Sequence, residues 1–96
     1  MTWFTVETVY SDDAALLERV RPTHRAYLTE LADAGQVVGG GPFADGVSGF
    51  TLFAVADRAE LDRLLELDPY TTEGVAASRT VREWKIVVGE LAKRER

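Results

Sequence analysis

The stretch Ser48-Gly49-Phe50-Thr51-Leu52-Phe53-Ala54-Val55-Ala56 is the clearest β-strand in the chain, and its reading decides the fold. Aromatic and β-branched residues fit a pleated surface, and successive side chains on a strand point to opposite faces. Phe50, Leu52 and Ala54 therefore share one face, and Phe53 and Val55 the other. A strand with one face in water alternates apolar with polar. This one carries apolar groups on both, so both faces need cover.

Working downstream, Asp57 and Glu60 form a capping pair at the start of a helix predicted from Arg58 to Leu67, with Leu61, Leu64 and Leu65 inward. Asp68-Pro69 ends that helix, because the residue before proline avoids the α region. Thr71 to Ala77 allows a short helical turn, and Thr80 to Val88 reads as the last strand. The charged tail from Glu90 to Arg96 reads as a frayed helical end.

Upstream, Asp45-Gly46 is a turn dipeptide within a loop from Phe43 to Gly46. Gln36 to Gly39 reads as a short strand broken by Gly40-Gly41-Pro42. Trp3 to Tyr10 is the first strand, followed by capping residues Ser11, Asp12 and Asp13 and a short helix from Ala14 to Val20. Proline inside a helix costs about 3 kcal/mol. Pro22 is therefore expected to begin a second helix, which runs to about Ala34 with Gly35 as its C′ residue.

The order is β-α-β-β-α-β: an α+β, ferredoxin-like protomer with a four-stranded, mainly antiparallel sheet and two helices on one face. Other strands repeat the two-faced pattern. Trp3 and Val9 oppose Phe4 and Val6, and Trp84, Ile86 and Val88 oppose Val87. One apolar face is left bare, which soluble monomers rarely tolerate. Sheet-to-sheet pairing with a second copy, as a two-fold homodimer, is the expected cover.

The 96 residues fit a single domain over 1–96, and the formal charge of −5 gives no basic face for nucleic acid and no attraction to an anionic membrane. The chain has no cysteine, which excludes disulfides, thiolate catalysis and zinc–thiolate sites. Met1 to Glu7 lacks a signal peptide's basic and apolar regions, and no apolar run approaches the roughly 20 residues that span a bilayer. A soluble, cytoplasmic protein is expected. The run Gly39-Gly40-Gly41-Pro42 lacks the Lys and Ser/Thr of a P-loop and reads as a turn.

His24 is the one histidine, in Arg21-Pro22-Thr23-His24-Arg25. Imidazole has an ordinary pKa of about 6.5 and is the ready base near neutral pH. Helical spacing puts His24 beside Leu28 and Leu31, and Thr23 beside Tyr27 and Leu31. In the first turn of a helix starting at Pro22, the positive dipole end would disfavour imidazolium. Asp68 is the candidate carboxylate to fix its tautomer. Plainer readings stand beside these: a structural histidine, an Asp68 that ends a helix, a Tyr70 that packs. Arg21 could grip a carboxylate or phenolate with its planar fork, or lie in solvent. One histidine offers no His-rich metal site.

The chain resembles the YciI-like, or YCII-related, proteins. The resemblance rests on Arg21-Pro22-Thr23-His24, Gly35, Gly41-Pro42, Asp68-Pro69-Tyr70, Gly74-Val75 and the strand from Val81 to Lys85, in order along nearly the whole chain. It implies a dimeric α+β barrel, similar to muconolactone isomerase, and a His–Asp active pair that maps onto His24 and Asp68. A dehydrochlorinase-type lyase acting on a chlorinated hydroxyquinol looks like a relative. The family often has Gly-Ser where this chain has Ser48-Gly49, which leaves the role of that hydroxyl open.

The expected protein is thus a small cofactor-free enzyme, a lyase or isomerase, in which His24 and Asp68 abstract a proton from a small cyclic or phenolic substrate. Arg21, Gly41, Pro42, Ser48 and Tyr70 form the expected substrate-binding set, with no metal, in a cleft lined by Phe43, Phe50 and Tyr70. The competing reading is a non-catalytic module that binds a small ligand or serves as a dimerising accessory.

Overall fold

Strand β1, Thr2–Tyr10, is the strand on which the sheet is built. In the computed structural model, which describes residues 1–95, β3 (Ser48–Val55) and β4 (Ala76–Glu83) pair antiparallel with its two edges, and β2 (Val37–Pro42) pairs with β3. The order β2-β3-β1-β4 is the ferredoxin-like α+β arrangement expected from the sequence. Helix α1 spans Ala14–Asp33, α2 spans Arg58–Leu67, and a one-turn α3 spans Pro69–Thr72.

The register pairs Phe4 with Phe53 and Thr2 with Val55, which collects Phe4, Val6, Phe53 and Val55 on one face. Leu31 of α1 and Leu61 and Leu64 of α2 close over them, with Val37 at the edge. Burying each such side chain contributes about 1.5–3 kcal/mol. This is the main core.

The opposite face differs from the sequence expectation. β4 ends at Glu83, not Val88, because β1 has almost run out: Glu83 pairs with Phe4, and Trp84 N–H donates to Trp3 O at 2.9 Å. The chain then leaves the sheet. Ile86 and Leu91 fold back on Trp3, Leu52 and Ala54, which are 2%, 7% and 6% exposed within one chain. The C-terminal segment, ending in a 3-10 helix from Glu90 to Glu95, thus covers part of the face expected to be bare. Val9, Trp84, Val87 and Val88 stay exposed.

Other boundaries move as well, β4 beginning at Ala76 and not at Thr80 and the short helical turn lying at Pro69–Thr72. α1 is one 20-residue helix with Pro22 inside it, not two helices. Asp13 caps its start by accepting from Leu16 N–H, and Val20 and Leu31, on either side of the proline, are both buried. Packing outweighs the single backbone hydrogen bond that proline forfeits. β2 likewise continues through Gly40, Gly41 and Pro42, which pair with Thr51, Phe50 and Gly49. It is an edge strand, where a proline without N–H is tolerated.

Candidate active site

Asp68 sits at the joint between α2 and α3. Its extended backbone (φ −63°, ψ 128°) stops the first helix, and its Oδ1 caps the second by accepting from Tyr70 N–H at 2.9 Å. Pro69 takes the first helical position, where its missing N–H costs nothing. The helix-boundary reading of Asp-Pro is therefore correct. The same carboxylate also faces inward, 3% exposed, with two side chains on it.

His24 reaches it from α1, with Nδ1 2.7 Å from Asp68 Oδ1. Arg79 reaches it from β4, with Nη2 3.0 Å from Oδ2. Three donors converge on one carboxyl group, which suits an acceptor-only carboxylate. A carboxylate cannot donate, so His24 Nδ1 carries the hydrogen and Nε2 of the neutral ring has the free lone pair. Tyr70 fixes the plane of the imidazole: the rings are stacked, with centroids 3.5 Å apart and 2° between planes.

His24 lies well inside α1 and not in a first helical turn. Dipole effects fade within the first turn, so the expected dipole contribution lapses. Asp68 and the Tyr70 ring are what orient the imidazole.

Arg79 is itself braced. Its Nε donates to Thr8 Oγ1 at 3.2 Å and its Nη1 to Thr71 Oγ1. Burial lowers its pKa from the usual arginine value, and the adjacent Asp68 opposes that shift. Burial raises the phenol pKa of Tyr70, against the hydrogen bond and positive charge of Arg21 and the charge of Arg25.

A cleft of about 820 Å³ opens beside this cluster, between α1 and the β2–β3 end of the sheet. His24, Asp68, Tyr70 and Arg79 line it, as do the expected Arg21, Gly41 and Pro42. Its room comes from missing side chains. Gly40, paired with Thr51 on the cleft face, leaves that part of the β2 wall bare, and Gly49 lets the Tyr10 hydroxyl cross the floor. A Cβ at residue 49 would strike that hydroxyl and lie 3.1 Å from the Gly41 carbonyl oxygen.

Ser48 stands apart from the set. It pairs with Val9, one residue out of phase with the cleft-side Gly49, and does not line the cleft. Phe43 lines the cleft as expected; Phe50 borders it but packs with the Trp3 cluster on the other face. The sequence reading missed Arg79, Arg25 and Tyr10. A signal existed for Arg79: two residues before the core-facing Val81, it must point to the same face of β4.

Among the described residues, no three His, Cys, Asp or Glu side chains gather as a metal site, and no helix is long and apolar enough to cross a membrane. No curated protein matches the chain significantly. Similar solved structures include a 5-chloro-2-hydroxyhydroquinone dehydrochlorinase from Burkholderia phenoliruptrix in complex with 2,5-dihydroxybenzoquinone; it is 22% identical, with TM-score 0.76, over 86% of this chain and 93% of that one. An antibiotic biosynthesis monooxygenase is 16% identical, with TM-score 0.60, over 92% of this chain and 100% of that one. At such identities the likeness is one of fold. The sequence itself goes further: the model of the YCII-related domain family matches residues 2–85, and the chain belongs to that family.

Proposed function

We propose that this protein is a small, single-domain, cofactor-free lyase or isomerase that uses His24 as general base on a small cyclic or phenolic substrate. The observation that carries this reading is the 2.7 Å contact between His24 Nδ1 and Asp68 Oδ1 at the wall of an open cleft. Asp68 holds the tautomer and stabilises the imidazolium that forms. Nε2 takes a proton from a ring carbon or hydroxyl. In elimination, the electron pair released moves into the ring and the leaving group departs with its bonding pair, for instance as chloride. In isomerisation, the imidazolium returns the proton to another ring position.

A positioned base supplies roughly 10²–10⁴ in rate. That suits substrates whose carbanion or enolate is already stabilised, such as a hydroxyquinol or a lactone. The dehydrochlorinase of similar fold acts on a compound of this kind, which supports the choice. Arg21, Gly41, Pro42 and Tyr70 line the cleft beside the base and form the substrate-binding set. The working form is a cytoplasmic homodimer, paired through the sheet face where Val9 remains exposed, with Trp84 exposed at the end of β4.

The test is turnover of a panel of chlorinated hydroxyquinols and lactones, followed by chloride release and absorbance. His24→Ala should lose about 10²–10⁴ in rate. Undiminished turnover by His24→Ala would exclude the mechanism.

A further inference from the structure

We infer that the cleft is an anion site in which Arg21 and Arg25 grip an oxyanion on an aromatic substrate, presenting its ring to His24. This deepens the proposed function and rests on that reading for the identity of the site. It adds the substrate's charge and a residue, Arg25, that sequence reasoning left out.

The argument begins with charge. The chain is acidic overall, at −5, yet its cleft is not. Arg21, Arg25 and Arg79 all line it, and the only carboxylate among its described lining residues is Asp68. Asp68 is already engaged by Arg79, His24 and the Tyr70 N–H. Arg79 is likewise occupied by Asp68 and two threonines. The two α1 arginines are different.

Neither Arg21 nor Arg25 forms an ion pair with a carboxylate among the described residues. Arg21 and Arg25 instead lie near the phenols of Tyr10 and Tyr70, which are neutral partners. Four residues apart, they lie on the same helix face, where like charges repel. Between them sits His24. Two cations with no internal counter-charge beside a proton acceptor give the cleft a positive potential that favours an entering anion.

The chemistry fits the base. A guanidinium fork binds carboxylate or phenolate oxygens in its own plane. An oxyanion held there also keeps negative charge that develops in the ring near two cations, in a cleft partly shielded from water. Tyr70, stacked on His24 and lining the same cleft as Arg21, links the two functions physically.

The test is calorimetric binding to the full chain of three probes: salicylate, p-nitrophenolate and the uncharged salicyl alcohol. At least one of the anions should bind about tenfold or more tightly than the alcohol, the loss of one charge-assisted contact being worth about a decade. The two anions tell a carboxylate from a phenolate source. Added salt should weaken anion binding and leave the alcohol unchanged. Arg25→Gln should remove most of the preference, and Arg25→Lys should keep most of it; Arg25 is exposed, so both variants fold. Equal affinity for alcohol and anions, an unchanged preference in Arg25→Gln, or no binding of either anion overturns the inference. Binding needs no turnover, so the two readings separate. An anion preference without catalysis leaves this site standing and removes the enzyme; catalysis on neutral quinols without the preference does the opposite.

Discussion

Arg79 Nη2 lies 3.0 Å from Asp68 Oδ2, on the oxygen that His24 does not use. The guanidinium balances a carboxylate that is almost entirely out of solvent, and it stops that carboxylate turning away from the histidine. Both side chains are largely buried, at 15% and 4% exposure, so removing one partner strands the other.

Arg79→Met should therefore lower stability by about 3 kcal/mol, the low end for breaking a buried pair, read from the urea denaturation midpoint. Arg79→Lys should recover only part of it. A single ammonium cannot reproduce the planar fork that reaches Asp68, Thr8 and Thr71 together. A stability of Arg79→Met equal to wild type would show that the pair contributes nothing net.

Asp68→Asn separates capping from charge. Asparagine caps helices as well as aspartate does, so the Oδ1 bond from Tyr70 N–H survives. The new amide N–H₂ must then face the Arg79 donor. Both stability and turnover should fall, and adding Arg79→Met should restore part of the stability, with a coupling of about 0.5–3 kcal/mol in a double-mutant cycle. Strict additivity of the two changes would show that the contact at Oδ2 carries no coupling.

Alkaline pH should weaken the fold. Burial raises the phenol pKa of Tyr10, Tyr27 and Tyr70 above the ordinary 10.0. A raised folded value means that the unfolded chain gives up these protons first. Their contribution is fully present below pH of about 10 and is lost as pH climbs through the higher folded values. Denaturation midpoints across that range, with tyrosinate absorbance as the marker, check the sign. Tyr27→Phe should blunt the decline, and in exchange loses the 2.7 Å bond to Leu64 O.

Much of this molecule is legible in its sequence, and the failures have physical causes. The Phe50/Leu52/Ala54 and Phe53/Val55 alternation gives both sheet faces, because strand parity is local. The Asp57 cap and the Asp68-Pro69 stop bound α2 as expected for the same reason. Pro22 misleads because its helix cost is real and is overridden by burial of Val20 and Leu31, which only the tertiary structure supplies. The end of β4 depends on the length of β1, a non-local fact. At the site, His24 stands out as the one histidine and Asp68 by the proline that follows it. Arg79 and Arg25 do not, since an arginine in a charged chain reads as surface until its neighbours are known.

Gly49 tests how the cleft floor is made. The Tyr10 side chain occupies the space a Cβ would need, and the Gly41 carbonyl limits retreat on the other side. Gly49→Ala should cost about 1–3 kcal/mol, as overpacking does, and should weaken binding in the cleft by displacing Tyr10. Pairing it with Tyr10→Ala should relieve the clash. Failure of that relief would mean that the backbone approach to Gly41, and not the phenol, demands glycine.

Pro22 offers the last test, of the claim that packing overrides propensity in α1. It is exposed and lies in the helix interior, where its ring removes the bond that an N–H at this position would make to the Glu18 carbonyl. Pro22→Ala restores that donor without touching the buried face. Against this, the unfolded chain gains freedom, worth about 0.4–1 kcal/mol, while the helix gains up to about 3 kcal/mol. The net should be stabilisation of about 1–2 kcal/mol, measured by denaturant midpoint at constant slope. A loss of stability instead would mean that α1 depends on the fixed φ of Pro22 to bring Val20 to Tyr70 and Val75 on one side of the turn and His24 to Asp68 on the other.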